Sequence, residues 1–79
     1  MAMYIAIQKQ SENEATAFYL FGASQGSQGS LRIYKATGKV ELIEAAPGDY
    51  DSRLFSRARH KVQQHWKRGE YPLTTCWAS

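Results

Sequence analysis

Hydrophobic and polar residues alternate along much of the first half of the chain, which is the pattern typical of β-strands. Residues 3–8 predict a first strand with Ile5 and Ile7 on one face, and the polar residues 9–14 predict a turn. Residues 16–21 predict a second strand with large hydrophobic side chains on both faces. Such a strand belongs at the centre of a sheet, or its outer face contacts a partner.

A β-hairpin is predicted over residues 31–44. Residues 31–35 and 40–44 both alternate, and the connection between them is short and contains Gly38. We expect the cations of the first strand to meet the glutamates of the second, namely Arg32 and Lys35 with Glu41 and Glu44.

The segment between the second and third predicted strands, residues 22–30, repeats Ser-Gln-Gly, has no charge and contains three of the six glycines. It predicts a mobile loop, because glycine leaves the backbone unrestrained and no bulky side chain packs. Phosphate binding by this loop is disfavoured, because it lacks the lysine of a P-loop and a strand follows it, where a P-loop is followed by a helix.

Beyond Pro47 the spacing of the apolar residues changes from that of a strand to that of a helix. Apolar residues recur every three to four positions at 54, 55, 58, 62 and 66, which predicts an amphipathic helix over residues 50–68. That range is 19 residues, or about 28 Å of helix. Candidate N-cap residues are Asp49, Asp51 and Ser52. Residues 73–77 predict either a short edge strand or an extended tail.

These elements predict one α+β domain over residues 1–79. We expect a four-stranded antiparallel meander sheet, with one long C-terminal amphipathic helix packed on one face and a short extended C-terminal tail. A parallel sheet is disfavoured because it would need crossover helices between the strands.

The composition indicates a thin aliphatic core. Leu, Ile, Val and Phe make up 14 of 79 residues, so the five Tyr and two Trp must supply much of the buried area. We interpret the aromatic cluster near the helix end, Trp66, Tyr71, Pro72 and Trp77, as structural packing, with a binding platform as the alternative. No apolar run is long enough to span a membrane, no signal-peptide pattern is present, and the single Cys76 indicates a reducing, cytoplasmic setting.

Positive charge is concentrated in the helix. Residues 1–50 hold four cations and five carboxylates, whereas residues 51–79 hold six cations and two carboxylates. Five of these cations project opposite the apolar stripe and are the candidate nucleic-acid-binding residues: Arg53, Arg57, Lys61, Lys67 and Arg68. A merely solvated helix face, or an acidic protein or lipid surface as partner, would explain the same pattern.

No catalytic constellation is present in the sequence, which predicts a protein that is not an enzyme and needs no cofactor. His60 and His65 point about 140° apart on a helix and do not form a metal site with Cys76. His65 is expected to be packed beside the apolar stripe.

Two functional hypotheses remain. The first is a small nucleic-acid-binding or regulatory module that acts through the basic helix face. The second is a homodimer or protein-interaction module that uses aromatic residues on the uncovered sheet face, with Tyr4, Tyr19, Phe21 and Tyr34 as candidates.

Overall fold

The computed structural model describes residues 4–23, 27–49 and 51–78, which form five β-strands and one α-helix. In chain order these are β1 (Tyr4–Glu12), β2 (Thr16–Gly22), β3 (Gln28–Tyr34), β4 (Val40–Glu44), α1 (Arg53–Lys67) and β5 (Thr74–Ala78). The strands form one antiparallel sheet in the order β4-β3-β2-β1-β5. Within these described ranges, the predicted α+β class, antiparallel sheet and single helix are confirmed.

The core lies between α1 and one face of the sheet. Alternate residues of the central strands are fully buried there: Ile5, Ile7, Ala17, Tyr19, Phe21, Leu31 and Ile33. From the helix, Ala58 and Val62 are buried against them. Leu54, Phe55 and Trp66 pack around this contact, so the predicted apolar stripe is the face that contacts the sheet.

The predicted hairpin of β3 and β4 is confirmed in its register. Leu31 lies opposite Leu42 and Ile33 opposite Val40 on the core face, while Arg32 pairs with Glu41 on the other face. In the turn, Gly38 has a φ of 77°, and a Cβ there would lie 2.7 Å from the Trp66 ring. Glycine is therefore required both by the backbone conformation and by the packing of the helix.

The prediction of only four strands is wrong, because the C-terminal residues form β5. This strand pairs antiparallel with β1, from Tyr4 opposite Ala78 to Gln8 opposite Thr74. The helix returns the chain to the side of β1 that β2 does not occupy, where backbone groups need partners. Of the two sequence alternatives for residues 73–77, the edge strand is the one observed.

The first strand is longer than predicted, and the predicted turn at residues 9–14 is shorter. β1 extends to Glu12 with an irregularity between Lys9 and Ser11. The turn is confined to the residues around Asn13, whose side-chain Oδ1 accepts the backbone N–H groups of Ala15 and Thr16, each at 2.8 Å. Polar side chains are tolerated in this part of β1 because most of them are exposed to solvent.

The predicted mobile loop 22–30 is also shorter, because both of its ends are strand. Gly22 ends β2 and pairs with Gln28, the first residue of β3. Residues 28–30 therefore belong to the sheet. Residues 24–26, the middle of the predicted loop, lie outside the described part of the chain.

The helix has 15 residues, so the predicted range of 50–68 is too long. Ser52 has a left-handed backbone conformation with a φ of 58°, so the helix begins only at the next residue, Arg53. Tyr50 lies outside the described residues. Asp49 caps the helix from outside, because its carboxylate accepts the N–H groups of Leu54 at 3.0 Å and Phe55 at 3.2 Å. Gly69, with a φ of 73°, follows the C-terminal end.

Two of the aromatic residues predicted on the uncovered sheet face lie in the core. Tyr19 and Phe21 are 1% and 0% exposed beneath the helix, whereas Phe18 and Leu20 point to the other face. The hydroxyl of Tyr19 donates a hydrogen bond to the carbonyl oxygen of Pro72 at 3.2 Å. Burial, together with the nearby negative charge of Glu12, raises the pKa of Tyr19 to about 12.

Tyr19 should make the fold sensitive to alkali. Its pKa rises from 10.0 to about 12 on folding, so the contribution of the protonated form is complete below pH 10 and is lost as the pH rises toward 12. We expect Tyr19→Phe to be less stable than the wild type at about pH 8, by roughly 1 kcal/mol for the lost hydrogen bond. Urea unfolding at about pH 8 and about pH 11 should show this deficit shrinking at the higher pH. Tyr4→Phe, at an exposed position, is the control, and an unchanged deficit for Tyr19→Phe would contradict the argument.

Candidate nucleic-acid interface

The outer side of α1 carries the cations predicted there. We call them the basic helix surface: Arg53, Arg57, Lys61, Lys67 and the C-cap residue Arg68. Ala58 and Val62 face the sheet, so residues about half a turn away from them face outward. Three of the five cations are exposed, and Arg57 and Lys61 are half-buried.

Arg53 is the cation nearest the start of the helix, and it has a carboxylate partner. Its Nη2 lies 3.2 Å from Oδ2 of Asp51, and both side chains are about 60% exposed, at 59% and 62%. Phosphate binding needs cations that carboxylates do not neutralise, and Arg53 does not meet that requirement. An ion pair this exposed contributes little to stability, but it lowers the positive potential locally.

Arg57 is held against the sheet. Its guanidinium lies over the ring of Trp77 at 5.0 Å, and its Nη1 donates to the carbonyl oxygen of Arg53 at 3.3 Å. Its Nε is buried and has no partner among the described residues. Arg57 thus packs the helix on the Trp77 side chain of β5 and still contributes positive charge on that side.

The remaining three cations of the basic helix surface also lack acidic partners among the described residues. Lys61, Lys67 and Arg68 have no ion pair within residues 4–23, 27–49 and 51–78. Glu70, which follows the helix in sequence, lies 3.1 Å from Nδ1 of His65. The first turn of the helix also contains no acidic residue.

The cations of the sheet are neutralised separately. Glu12 pairs with both Lys35 and Lys9. Hydrogen bonds from these two ammonium groups lower the pKa of Glu12 below its ordinary value, and the bond from Lys35 has the larger effect. Lys9 also donates to the carbonyl oxygen of Tyr71 at 2.9 Å, and the Lys35 ammonium lies 4.7 Å from the centre of the Tyr71 ring. These groups join the start of the C-terminal segment to the sheet and do not add to the basic helix surface.

The β3–β4 turn is bound to the second half of the helix. Gln63 donates its side-chain amide to the carbonyl oxygen of Gly38 at 2.9 Å, and the Trp66 indole donates to that of Lys35 at 2.7 Å. Exposed Lys39 is thereby brought to this end of the molecule, beside a shallow cleft of about 570 Å³. Spacing along the chain does not bring Lys39 to the helix, because only tertiary hydrogen bonds join the two elements.

The histidines of α1 are separated, as the helical spacing predicts. His65 is packed, with its side chain 18% exposed and its Nε2 2.9 Å from the hydroxyl of Thr75, whereas His60 is exposed. Among the described residues, no three His, Cys, Asp or Glu side chains form a cluster that could hold a metal ion.

The open sheet face contains aromatic residues in a mixed surface. Tyr4 is 57% exposed, and Phe18 and Tyr34 are half-buried. The guanidinium of Arg32 lies over both of these half-buried rings, 5.7 Å from the centre of Phe18 and 5.0 Å from that of Tyr34. Arg32 therefore covers part of the apolar area that the protein-interaction hypothesis requires.

Comparison of the chain with protein-family models, curated proteins and solved structures finds no match. The one helix in the described part of the chain is too short and too polar to cross a membrane. The function of the protein is therefore inferred from its own surfaces.

Proposed function

We propose that this domain is a small non-catalytic module that binds nucleic acid through the basic helix surface. The observation that supports this most directly is the absence of an acidic partner at Lys61, Lys67 and Arg68 among the described residues. A helix face that is merely solvated usually mixes the two signs of charge. Here Glu70 lies against His65 and forms no ion pair with these cations among the described residues, which leaves them available for phosphates.

The spacing of the cations favours a polymer over a mononucleotide. Lys61 and Arg68 are separated by two turns, about 10 Å along the helix axis. One phosphate contacts only one of them at a time, whereas successive phosphates of a nucleic-acid backbone contact both. Each contact releases a condensed counterion, so affinity should fall steeply as salt rises.

Binding through this surface should be largely independent of base sequence. The Arg57 guanidinium lies 5.0 Å from the centre of the Trp77 ring and covers that side of it, so this side is not free to stack on a base. Lysine and arginine contacts to phosphates position a nucleic acid but do not read its bases. We therefore expect weak, nonspecific binding, with dissociation constants of about micromolar or above.

The protein-interaction hypothesis has less support. Tyr19 and Phe21 are buried, and Arg32 lies over Phe18 and Tyr34, so Tyr4 is the most exposed aromatic residue of the open sheet face. An apolar contact through this face would persist at high salt, which distinguishes it from phosphate binding.

Lys61→Gln combined with Arg68→Gln should weaken binding to a 20-base-pair DNA duplex by about tenfold or more at low salt. Fluorescence anisotropy at several salt concentrations should also show the slope of log affinity against log salt falling by nearly two, since two phosphate contacts are lost. Arg57 is left unchanged because it packs on Trp77, and its loss would disturb the fold.

The matched control is Gln8→Glu with Gln10→Glu, which lowers the net charge by the same two units at exposed positions of β1. It should keep most of the affinity and the full salt slope. Equal losses in the two double variants would show that net charge alone governs binding. Anionic lipid vesicles that bind where the duplex does not would contradict the nucleic-acid proposal.

A further inference from the structure

The outer edge of β5 is a second surface that the proposed function does not use. The backbone N–H of Lys9 donates to the carbonyl oxygen of Leu73 at 2.8 Å, which fixes the alternation of hydrogen bonds between β1 and the C-terminal segment. In an antiparallel pair, every second residue directs both its backbone groups to the partner strand. Thr75 and Trp77 therefore bond to β1, and the residues between and after them direct their groups away from the sheet: Thr74, Cys76 and Ala78.

The two edges of the sheet differ in how they are protected. β4, at one edge, carries Glu41 and Glu44 and has an irregular register with β3. Charged residues and bulges of this kind discourage pairing with another strand. β5, at the other edge, has the sequence Thr-Thr-Cys-Trp-Ala, with no charge and no proline, and it follows Leu73, which is 72% exposed. The composition of β5 therefore favours pairing of its outer edge with a further strand.

We propose that β5 pairs antiparallel with β5 of a second copy of this chain, centred on Cys76, so that two five-stranded sheets become one. The outward groups are symmetric about that residue: Thr74 meets Ala78 of the second copy, and Cys76 meets Cys76. Three residue pairs with two hydrogen bonds each give six hydrogen bonds between the copies. A second copy is the favoured partner because β5 is uncharged, so two β5 strands can pair without repulsion between like charges. A two-fold axis also gives hydrogen-bond partners to the outward backbone groups of both β5 strands at once.

The pairing has a geometric consequence at Cys76. Residues in a hydrogen-bonded antiparallel pair have Cα atoms about 5.5 Å apart. That separation lies within the range that a disulfide spans. The side chain of Cys76 is half-buried on the open sheet face, beside Ala6, so the two thiols would lie on the same side of the joined sheet. Mild oxidation should therefore trap the pair.

The symmetry also places the helices. An axis perpendicular to the sheet keeps both copies of α1 on one face, and Arg57 packs on Trp77 of the paired strand. Cations of the two basic helix surfaces would then lie along a single face. The pairing itself does not depend on nucleic-acid binding, so the two proposals fail separately.

The test is oxidation of the reduced protein with diamide, in which two thiols lose two protons and two electrons and diamide is reduced to the hydrazine. We expect a disulfide-linked dimer to form about tenfold or more faster than in the control Cys76→Ser with Ala36→Cys, because pairing raises the effective concentration of the thiols. The control has an exposed cysteine at the β3–β4 turn, away from β5. Light scattering of the reduced wild type should show a mass rising above 8.9 kDa as concentration increases.

The interface variant is Thr74→Pro with Ala78→Pro, which removes four of the six inter-copy hydrogen bonds, since it deletes two outward N–H groups from each copy. The bonds to β1 are retained, and circular dichroism would check the fold. We expect cross-linking of this variant at the control rate. A wild type that stays monomeric and cross-links no faster than the control would overturn the proposal, as would a folded proline variant that cross-links at the wild-type rate.

Discussion

Replacing Val62 with Asp is expected to unfold the domain. Val62 is 3% exposed at the middle of the contact between α1 and the sheet, so the new carboxylate would be buried without a partner. The cost should be several kcal/mol, which is comparable to the whole stability of a domain of this size. Circular dichroism and urea unfolding at neutral pH should show loss of the cooperative transition.

The matched control for Val62→Asp is Gln64→Asp, two residues later on the exposed side of the same helix. It introduces the same side chain, with the same low helix propensity, but leaves the carboxylate in water. We expect a loss below about 1 kcal/mol there. A folded Val62→Asp protein as stable as this control would mean that the helix packs through a different face.

Short-range patterns were sufficient to predict the hairpin and the buried face of the helix. In residues 31–34 and 40–42, alternation indicates which side chains face the core, and Leu31 opposite Leu42 follows from the length of the turn. In α1, the spacing of Ala58 and Val62 fixes the face toward the sheet. Both features depend only on residues that are near each other in sequence.

The facing of β2 was not predictable from its own residues. Phe18 and Leu20 are as apolar as Tyr19 and Phe21, so either pair could have faced the helix. The neighbouring strands determine which pair faces the helix. Tyr19 lies opposite Leu31, and Phe21 lies opposite Ile7 and Gly29, all on the core face. A pattern with hydrophobic residues on both faces loses the information that alternation supplies.

The basic helix surface was predictable as a set of outward positions but not as a set of interactions. Helical spacing placed all five cations, whereas the contact of Arg57 with Trp77 depends on β5 and was not visible in the sequence. Likewise, Lys35 pairs with Glu12 and not, as was predicted, with either glutamate of β4, because the turn after β1 brings the Glu12 carboxylate close. The ion-pair and cation–π partners of long side chains depend on which groups are close in the folded structure, and spacing along the sequence does not determine this.

Gly29→Ala is expected to destabilise the fold, although it adds only one methyl group. Gly29 lies on the core face of β3, opposite Phe21, where the chain that leaves β4 crosses it. A Cβ there would lie 2.6 Å from the backbone nitrogen of Ala46, 2.6 Å from the carbonyl oxygen of Glu44 and 2.8 Å from the Phe21 ring. Two of these atoms are backbone, so relief requires the sheet edge to move. We expect a loss of about 1–3 kcal/mol or more.

Ser30→Ala is the control for Gly29→Ala, because it adds the same residue to the next position of β3, on the open face. Its effect should stay within about 0.5 kcal/mol. Urea midpoints would separate the two variants, and the glycine variant should also expose Phe21 and bind a hydrophobic dye. Equal midpoints would mean that the backbone at Glu44 and Ala46 leaves room for a Cβ at position 29, which would contradict the steric argument.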